Sequence, residues 1–395
     1  MVPTENVRPN DRIGVSMRIE TIHYDSANGW SLPGFPEMDS DSTLALVFGS
    51  AKGIEGNVPL EELFTAYPRA HILGCSTAGE IFGTTISDDS LAVAVCRFGH
   101  TALRSTCVPI ETAADSFTVG ERIANELVAP DLRGVLVLSD GTNVNGSELV
   151  RGLNSVLPAN VVTTGGLAGD GDRFQKTWVI DHRNAMSNRV SAVGFYGDHV
   201  VLGHGSKGGW DIFGPERLVT RSMGNVLFEI DGQPALDLYK KYLGDLATGL
   251  PANALLFPLS LRRGGGETAR LVRTILSIDE KAGSMTFAGD IPQGSLVQFM
   301  RANFDRLVDG AMEAAQLAKK SREQAGQILA IAISCVGRRL VLGDRAEEEV
   351  EAVAEVLPEN TRVIGFYSYG ELSPYANGRC ELHNQTMTLT TLSET

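Results

Sequence analysis

The chain has 395 residues, a formal charge of −14 at neutral pH, a pI near 5.0 and 43% hydrophobic residues. This length and composition are typical of a soluble globular protein of two or three domains, and the acidic balance argues against the broad basic surfaces that nucleic acids and anionic membranes require. The five cysteines form no C-x-x-C pair and no zinc-binding spacing, so we expect free thiols in a reducing compartment.

The N-terminal region, residues 1–42, contains a candidate strand, RIGVSMRI, followed by a loop rich in Gly, Ser, Pro and Asp. It lacks an apolar core of signal-peptide length, and no apolar run in the chain approaches the length of a membrane span. We therefore expect a cytoplasmic protein with neither a membrane nor a nucleic-acid partner.

One pattern then occurs three times: an apolar strand, a helix that ends before a proline, a second apolar strand, and a loop that closes on Gly-Glu or Gly-Asp. Apolar strand–helix–strand units predict parallel pairing through right-handed crossovers. The predicted fold class is α/β with mixed sheets, built from repeated strand–helix–strand units in two related halves. The first strands are LALVFGS (44–50), GVLVLSD (134–140) and LAIAISC (329–335), and the loops are GCSTAGE (74–80), TGGLAGD (164–170) and GFYSYGE (365–371).

The remaining elements are predicted from periodicity and capping residues. The helix of the second repeat is expected to begin at Ser147 as N-cap. Between the second and third repeats, the patterns predict hairpins over 198–210 and 271–289 and helices over 235–243 and 297–318. We divide the chain near residue 215, which gives domains over 43–215 and 216–395.

The three loops are the predicted ligand-binding elements. Glu80, Asp170 and Glu371 follow the second strand of each repeat, and ligands of open α/β sheets bind beyond the carboxyl ends of such strands. Loop glycines can turn backbone N–H groups toward a ligand, and each carboxylate adds a strong acceptor. The alternative is that each carboxylate caps the turn or helix that follows it.

Cys335 and Arg338, in SCVGR, follow the first strand of the third repeat, at the edge that carries Glu371. Arg338 either binds a ligand carboxylate or phosphate bidentately or forms a structural salt bridge with Glu371. Tyr367 and Tyr369 flank Ser368, and alternation along a strand would place both rings on one face.

These motifs carry a family resemblance. LVFGS and GCSTAGEI in the first half, and GNVLFEIDGQPALDLYKKYLG, SCVGR, IGFYSYGELSP and HNQTMTL in the second, make the chain similar to FIST proteins, a bacterial sensory module with an N-terminal and a C-terminal domain. The resemblance implies a sensor of a small ligand, an amino acid or a related metabolite. It also implies a separate signalling partner such as a histidine kinase or a cyclic-nucleotide enzyme.

One branch of standalone FIST proteins resembles the chain in length, and its members bind haem, sense nitric oxide and regulate histidine kinases. Haem is therefore the alternative cofactor expectation, with His204 or His182 as axial ligand; no C-x-x-C-H attachment is present. His383 and Asn384, in HNQT, match a family position and are expected either to fix the loop after Glu371 or to touch the ligand.

An enzyme that uses Cys75 or Ser76 is the second alternative. GCSTAG does not match the G-x-S-x-G elbow, and the second repeat has Gly165, Gly166 and Leu167 at the corresponding place, so we expect no catalysis. The predicted ligand-binding residues are Cys75, Ser76, Thr77, Glu80, Gly166, Asp170, Cys335, Arg338, Tyr367, Ser368, Tyr369, Glu371, His383 and Asn384.

Overall fold

The structure is a computed structural model that describes residues 16–52, 58–250, 252–263, 270–319, 326–375 and 378–395. It confirms the mixed α/β class, because several sheets combine parallel and antiparallel strands with helices on their faces. Residues 1–15 lie outside the described residues, so only the end of the predicted strand RIGVSMRI is seen. The strand observed there begins at Arg18.

The first unit forms one sheet around a parallel pair. In it β3 pairs in parallel with β4, and β7 runs antiparallel between β3 and β1. The helix α1 connects the parallel strands, as predicted. The elements are β1 (Arg18–Asp25), β2 (Gly29–Trp30), β3 (Thr43–Ser50), α1 (Val58–Ala66), β4 (His71–Thr77), β5 (Glu80–Phe82), β6 (Thr85–Ser87) and β7 (Ser90–Arg97).

The second unit repeats this order. β9 pairs in parallel with β10, and β13 runs antiparallel between β9 and β8. Its helix α3 begins after Asn145, whose side chain accepts hydrogen bonds from the N–H groups of Ser147 and Glu148. The predicted N-cap Ser147 was therefore wrong by two residues. The elements are β8 (Ala102–Pro109), α2 (Ser116–Leu127), β9 (Leu132–Ser139), α3 (Gly146–Val156), β10 (Val162–Leu167), β11 (Val179–Asp181), β12 (Asn184–Met186) and β13 (Arg189–Tyr196).

A separate antiparallel sheet of strands β15 to β22, which we call the inserted sheet, follows the first strand of the third unit, β14 (Val200–Lys207). It forms its own hydrophobic core with α4. The hairpin predicted over 198–210 was wrong, because β14 pairs instead with the last strand of the chain. The helix predicted over 297–318 begins only at Phe304, after a strand. The elements are β15 (Asp211–Met223), β16 (Val226–Ile230), β17 (Gln233–Pro234), α4 (Ala235–Leu243), β18 (Leu259–Arg262), β19 (Leu271–Arg273), β20 (Ile275–Asp279), β21 (Ser284–Phe287) and β22 (Leu296–Arg301).

The third unit completes the same order as the first two. β23 pairs in parallel with β24, and β27 runs antiparallel between β23 and β14. The division of the chain near residue 215 stays a prediction. Units 1 and 2 and strand β14 of unit 3 precede that residue, and the other elements of unit 3 follow it. The elements are α5 (Phe304–Lys319), β23 (Ile328–Cys335), α6 (Val336–Leu342), α7 (Ala346–Val356), β24 (Thr361–Ser368), β25 (Gly370–Pro374), β26 (Cys380–His383) and β27 (Met387–Glu394).

The three units exchange hairpins in a cycle. β5–β6 of unit 1 extends the sheet of unit 3 beside β24, β11–β12 of unit 2 extends the sheet of unit 1 beside β4, and β25–β26 of unit 3 extends the sheet of unit 2 beside β10. Each unit therefore supplies one edge of another unit's sheet. The exchange brings the three Gly-Glu or Gly-Asp loops to one junction.

Alternation along the first strands explains the core. Leu46, Leu138 and Ile331 belong to a central cluster to which all three sheets contribute, whereas Val47 and Val137, on the opposite faces, pack in clusters under the helices. Both faces of these strands are buried, which is why they are apolar throughout. No helix in the part of the chain that the structure describes combines the length and apolarity needed to cross a membrane.

Candidate functional site

Backbone hydrogen bonds join the three loops to one another. The N–H of Ala78 donates to the Tyr367 carbonyl over 2.8 Å, and the N–H of Tyr367 donates to the Gly79 carbonyl over 2.9 Å. The N–H of Gly169 donates to the Ser76 carbonyl over 2.9 Å, and that of Tyr369 to the Leu167 carbonyl over 3.1 Å. The loops that the sequence predicted as ligand elements are therefore neighbours.

The carboxylates of Glu80 and Glu371 have equivalent hydrogen-bond partners. In each, a hydroxyl three residues earlier, on Thr77 or Ser368, donates to one carboxylate oxygen. The other oxygen accepts from the backbone N–H and the hydroxyl of Ser90 in unit 1 and of Thr386 in unit 3. Burial raises the pKa of Glu80 to about 7 and that of Glu371 to about 8, because it disfavours the charged form more than these donors favour it.

Asp170 is held differently. Its carboxylate accepts the N–H groups of Phe174, Gln175 and Lys176, and the Tyr369 hydroxyl donates to it across the unit boundary. Asp170 thus fixes the turn that follows it, which is the capping role that the sequence left open as the alternative.

Arg338 does not form a salt bridge with Glu371, which was one of the two roles expected for it. Its Nε and Nη2 both donate to Glu349 Oε2, at 2.9 and 2.8 Å, and both side chains are fully buried. The other N–H groups donate to the carbonyls of Gly208, Leu307 and Gln385. The reason is that SCVGR turns into helix α6 directly after β23, which carries the guanidinium toward α7.

Most other predicted residues lie in the core. Cys75 and Cys335 are buried, and burial raises both thiol pKa values, so the thiolate needed for nucleophilic attack is disfavoured. Tyr367 and Tyr369 bond to different carboxylates, Glu349 and Asp170. Ser76, Gly166, Ser368 and Asn384 are also buried.

All three units line one cavity of about 460 Å³, which we call the junction cavity. Unit 1 contributes the strand end at Ser50 and the loop residues Thr77 to Glu80; unit 2 contributes the segment after Asp170, and unit 3 contributes α6. Among the residues predicted from sequence, Thr77 and Glu80 line this cavity. It lies beyond the carboxyl ends of β3 and β4, where the fold predicts a ligand site.

Charged side chains of both signs surround the junction cavity. Arg339 forms a two-pronged ion pair with Asp88, and Lys52 bonds to Asp89 over 3.2 Å. Asp172 and Arg173 of unit 2 also line the wall. Within the described residues, no group of three or more His, Cys, Asp and Glu side chains is placed to hold a metal ion. The chemistry of the wall suits a small molecule that carries charge.

The sequence matches the FIST N domain over residues 43–233 and the FIST C domain over residues 235–374, most of the chain. The chain belongs to the FIST family. FIST domains are associated with sensing in signal transduction. The resemblance read from the sequence is confirmed at the level of the family.

Two individual proteins are also similar. An uncharacterized protein of Methanocaldococcus jannaschii (MJ1623) is 24% identical over 369 residues, which covers 81% of this chain and 65% of the relative. The chain therefore spans just under two thirds of that relative. A crystal structure of cyanuric acid hydrolase from A. caulinodans is 12% identical and covers 74% of this chain and 99% of its own, with a TM-score of 0.18.

Sequence analysis did not identify the charged residues that line the junction cavity of this FIST protein. Arg339 is adjacent to Arg338, the predicted ligand residue, and only the helical turn of α6 decides which of the two side chains faces the cavity. Asp88 and Asp89 form an acidic pair between β6 and β7, but nothing in the sequence places that turn opposite unit 3. The available signal was Lys52, a basic residue two positions after Ser50, because it follows a strand end.

A second cavity, of about 680 Å³, lies between β14, β25 and the inserted sheet, and we call it the lateral cavity. It brings together His204 and His383, which the sequence singled out separately, and Thr386, whose hydroxyl donates to Glu371. Burial lowers the pKa of His204 and lowers that of His383 to about 4. The His182 side chain is 93% exposed, so it does not sit on the apolar wall that a haem ligand needs.

Proposed function

We propose that this chain is a cytoplasmic small-ligand sensor of bacterial signal transduction, and that its ligand binds in the junction cavity. One observation carries the proposal: a single cavity at the carboxyl ends of the strands is lined by residues of all three units. A ligand there touches every unit at once and can stabilise one arrangement of the units over another.

The ligand class that fits is an amino acid or a related charged metabolite. Arg339, Lys52 and Arg173 offer cations to a carboxylate, and Asp89 and Asp172 offer carboxylates to an ammonium group. The partner would be a separate output protein, such as a histidine kinase or a cyclic-nucleotide enzyme, which senses the change in the arrangement of the units.

A thermal-shift screen of the full chain against the twenty L-amino acids tests the proposal. A ligand present at about 100 times its Kd stabilises the folded state by about 2.7 kcal/mol, which is a measurable rise in Tm. Leu340→Trp should abolish the shift, because Leu340 lines the cavity and the larger ring would take up space that the ligand needs.

Leu276→Trp is the matched control, since Leu276 and Leu340 are both 45% exposed and Leu276 lies on the inserted sheet. It should leave the shift unchanged. The assignment is wrong if no amino acid raises Tm, or if the Leu340→Trp protein binds like the native chain.

Haem is a second candidate, which we place in the lateral cavity. His204 faces that space beside Leu202 and Leu317, and no Asp or Glu is among its described lining residues. The lowered pKa keeps the imidazole neutral at neutral pH, the form that ligates iron. His204 would hold the iron, and the haem would supply a binding site for a diatomic gas such as nitric oxide.

Reconstitution of the full chain with haem tests this candidate. A Soret band that disappears in His204→Ala and persists in the surface control His182→Ala is the expected result. The absence of a band, or its persistence in His204→Ala, would exclude His204 as the ligand.

A further inference from the structure

Arg339 is anchored at the junction cavity by contacts that do not involve Asp88. Its Nη1 donates to the Ala78 carbonyl over 2.7 Å, and the guanidinium lies 5.5 Å from the centre of the Tyr367 ring. The group reaches this position because Gly79 has no side chain; a Cβ there would stand 2.4 Å from Nη1. Its side chain is only 24% exposed. The guanidinium is therefore a fixed part of the wall.

Asp88 is the more exposed half of the ion pair. Its two carboxylate oxygens accept from Nη1 and Nη2 of Arg339, each over 2.7 Å, and these bonds lower its pKa. Yet its side chain is 65% exposed and lies in the short turn between β6 and β7, at the rim of the cavity. Water can solvate this carboxylate when it leaves Arg339, so the pair contributes little to stability.

We propose that the ligand carries a carboxylate that replaces the Asp88 carboxylate on Arg339. This inference rests on the proposed function, since it concerns the same cavity. A carboxylate matches the planar fork of the guanidinium in the geometry that Asp88 already shows. Asp88 thus competes with the ligand for the Arg339 guanidinium. This competition selects ligands that carry a carboxylate and lowers the affinity with which they bind.

Displacement of the Asp88 carboxylate by the ligand would break a contact between units. Asp88 belongs to unit 1 and Arg339 to unit 3, so their ion pair ties the turn after β6 to α6. Once a ligand carboxylate takes the fork, that tie is lost, whereas β5 remains paired with β24. The exposed turn is then the segment whose contacts respond to the ligand.

The test uses calorimetric titration of the full chain with the L-amino acids that bind in the screen and with their α-carboxamides. Asp88→Asn should bind the amino acids about two- to fivefold more tightly, because the competing ion pair is removed. Arg339→Met should bind them at least about tenfold more weakly. The carboxamides should bind the native chain about tenfold more weakly than the acids, and this difference should vanish in Arg339→Met.

Arg69 and Asp41 provide the matched control, because they form a similar two-pronged pair at the opposite end of the strands of unit 1. Arg69→Met and Asp41→Asn should leave every affinity unchanged. If Asp88→Asn binds the acids no more tightly, or if carboxamides bind as well as acids, the inference is overturned while the sensor proposal stands. If no amino acid binds at all, both fail.

Discussion

Glu371 shows how little a carboxylate's position in the sequence says about its role. The sequence placed it at a strand end as a ligand group, and the structure places it there fully buried, with a side-chain or backbone donor on each oxygen. The same arrangement surrounds Glu80, so the two residues share a structural pattern. Their burial leaves a thermodynamic signature that can be measured.

Stability should fall as pH rises from the pKa of Glu371 in the unfolded state to its pKa in the folded state. Its folded pKa of about 8 lies above the unfolded value of about 4.3, so between these values the folded state holds a proton that the unfolded state has lost. One such group lowers the free energy of unfolding by up to about 1.4 kcal/mol per pH unit, and the loss stops above pH 8. Glu371→Gln should flatten this decline in urea unfolding between pH 5 and 8.

In the Glu371→Gln chain, Glu80 still lowers the free energy of unfolding as pH rises to about 7. Glu280→Gln is the control, because Glu280 is 62% exposed and pairs with Lys240 at the surface. Parallel curves for the native and Glu371→Gln chains would show that Glu371 is ionised in the folded state.

Arg338 and Arg339 mark the limit of prediction at this scale. Their adjacent positions in SCVGRR carry equal weight in the sequence, and the structure gives them opposite roles, one in a buried ion pair and one at a cavity. The decision depends on the phase of α6 relative to β23, which is set by packing against α7 and the inserted sheet. Local sequence does not encode that phase.

The strands were the best predicted elements. Each first strand was found within two residues of its predicted position, because a run of apolar residues buried on both faces is a clear signal. The segments that failed were β14 and β22, for which the sequence suggested a hairpin and a helix. Their partners lie far away in the chain, and local periodicity cannot reveal them.

Three glycines recur where parallel strands approach most closely. Gly74, Gly165 and Gly365 stand opposite the residue three positions before the end of each LALVFGS-type segment. A Cβ at Gly365 would lie 1.8 Å from the carbonyl oxygen of Ala332. No side-chain rotation relieves a clash with backbone, so the strands would have to separate.

Gly365→Ala should therefore lower the free energy of unfolding by about 3 kcal/mol, the upper end of the usual cost of overpacking. Gly34→Ala is the control, since an added Cβ there meets nothing within 4 Å. Urea unfolding followed by circular dichroism measures both. Equal midpoints for the two variants would contradict the close approach of β23 and β24.

At the scale of the whole molecule, the cyclic exchange of hairpins joins the three units. Each sheet lacks an edge strand unless another unit provides it, and the central cluster combines Leu46, Leu138 and Ile331 from the three sheets. Because of these two features, one unit cannot unfold without removing contacts from the other two. We therefore expect the three units to unfold together.

Ile331→Val tests this coupling without preventing folding, because the change removes one methyl group and costs about 1 kcal/mol. Hydrogen exchange of the full chain should show the same loss of protection in β4, β10 and β24. Val308→Ala, at a half-buried position outside the central cluster, is the control for a local effect. A loss confined to β24 in Ile331→Val would mean that the units open independently.

The sequence alone determined the repeated strand–helix–strand frame and its FIST family, because strand burial, helix periodicity and loop motifs are local signals. It also predicted that the loops with Glu80, Asp170 and Glu371 matter, and these loops do meet. Only the tertiary structure decided which side chains face a cavity, because the hairpin exchange and the turn of α6 bring together residues hundreds of positions apart, such as Asp88 and Arg339.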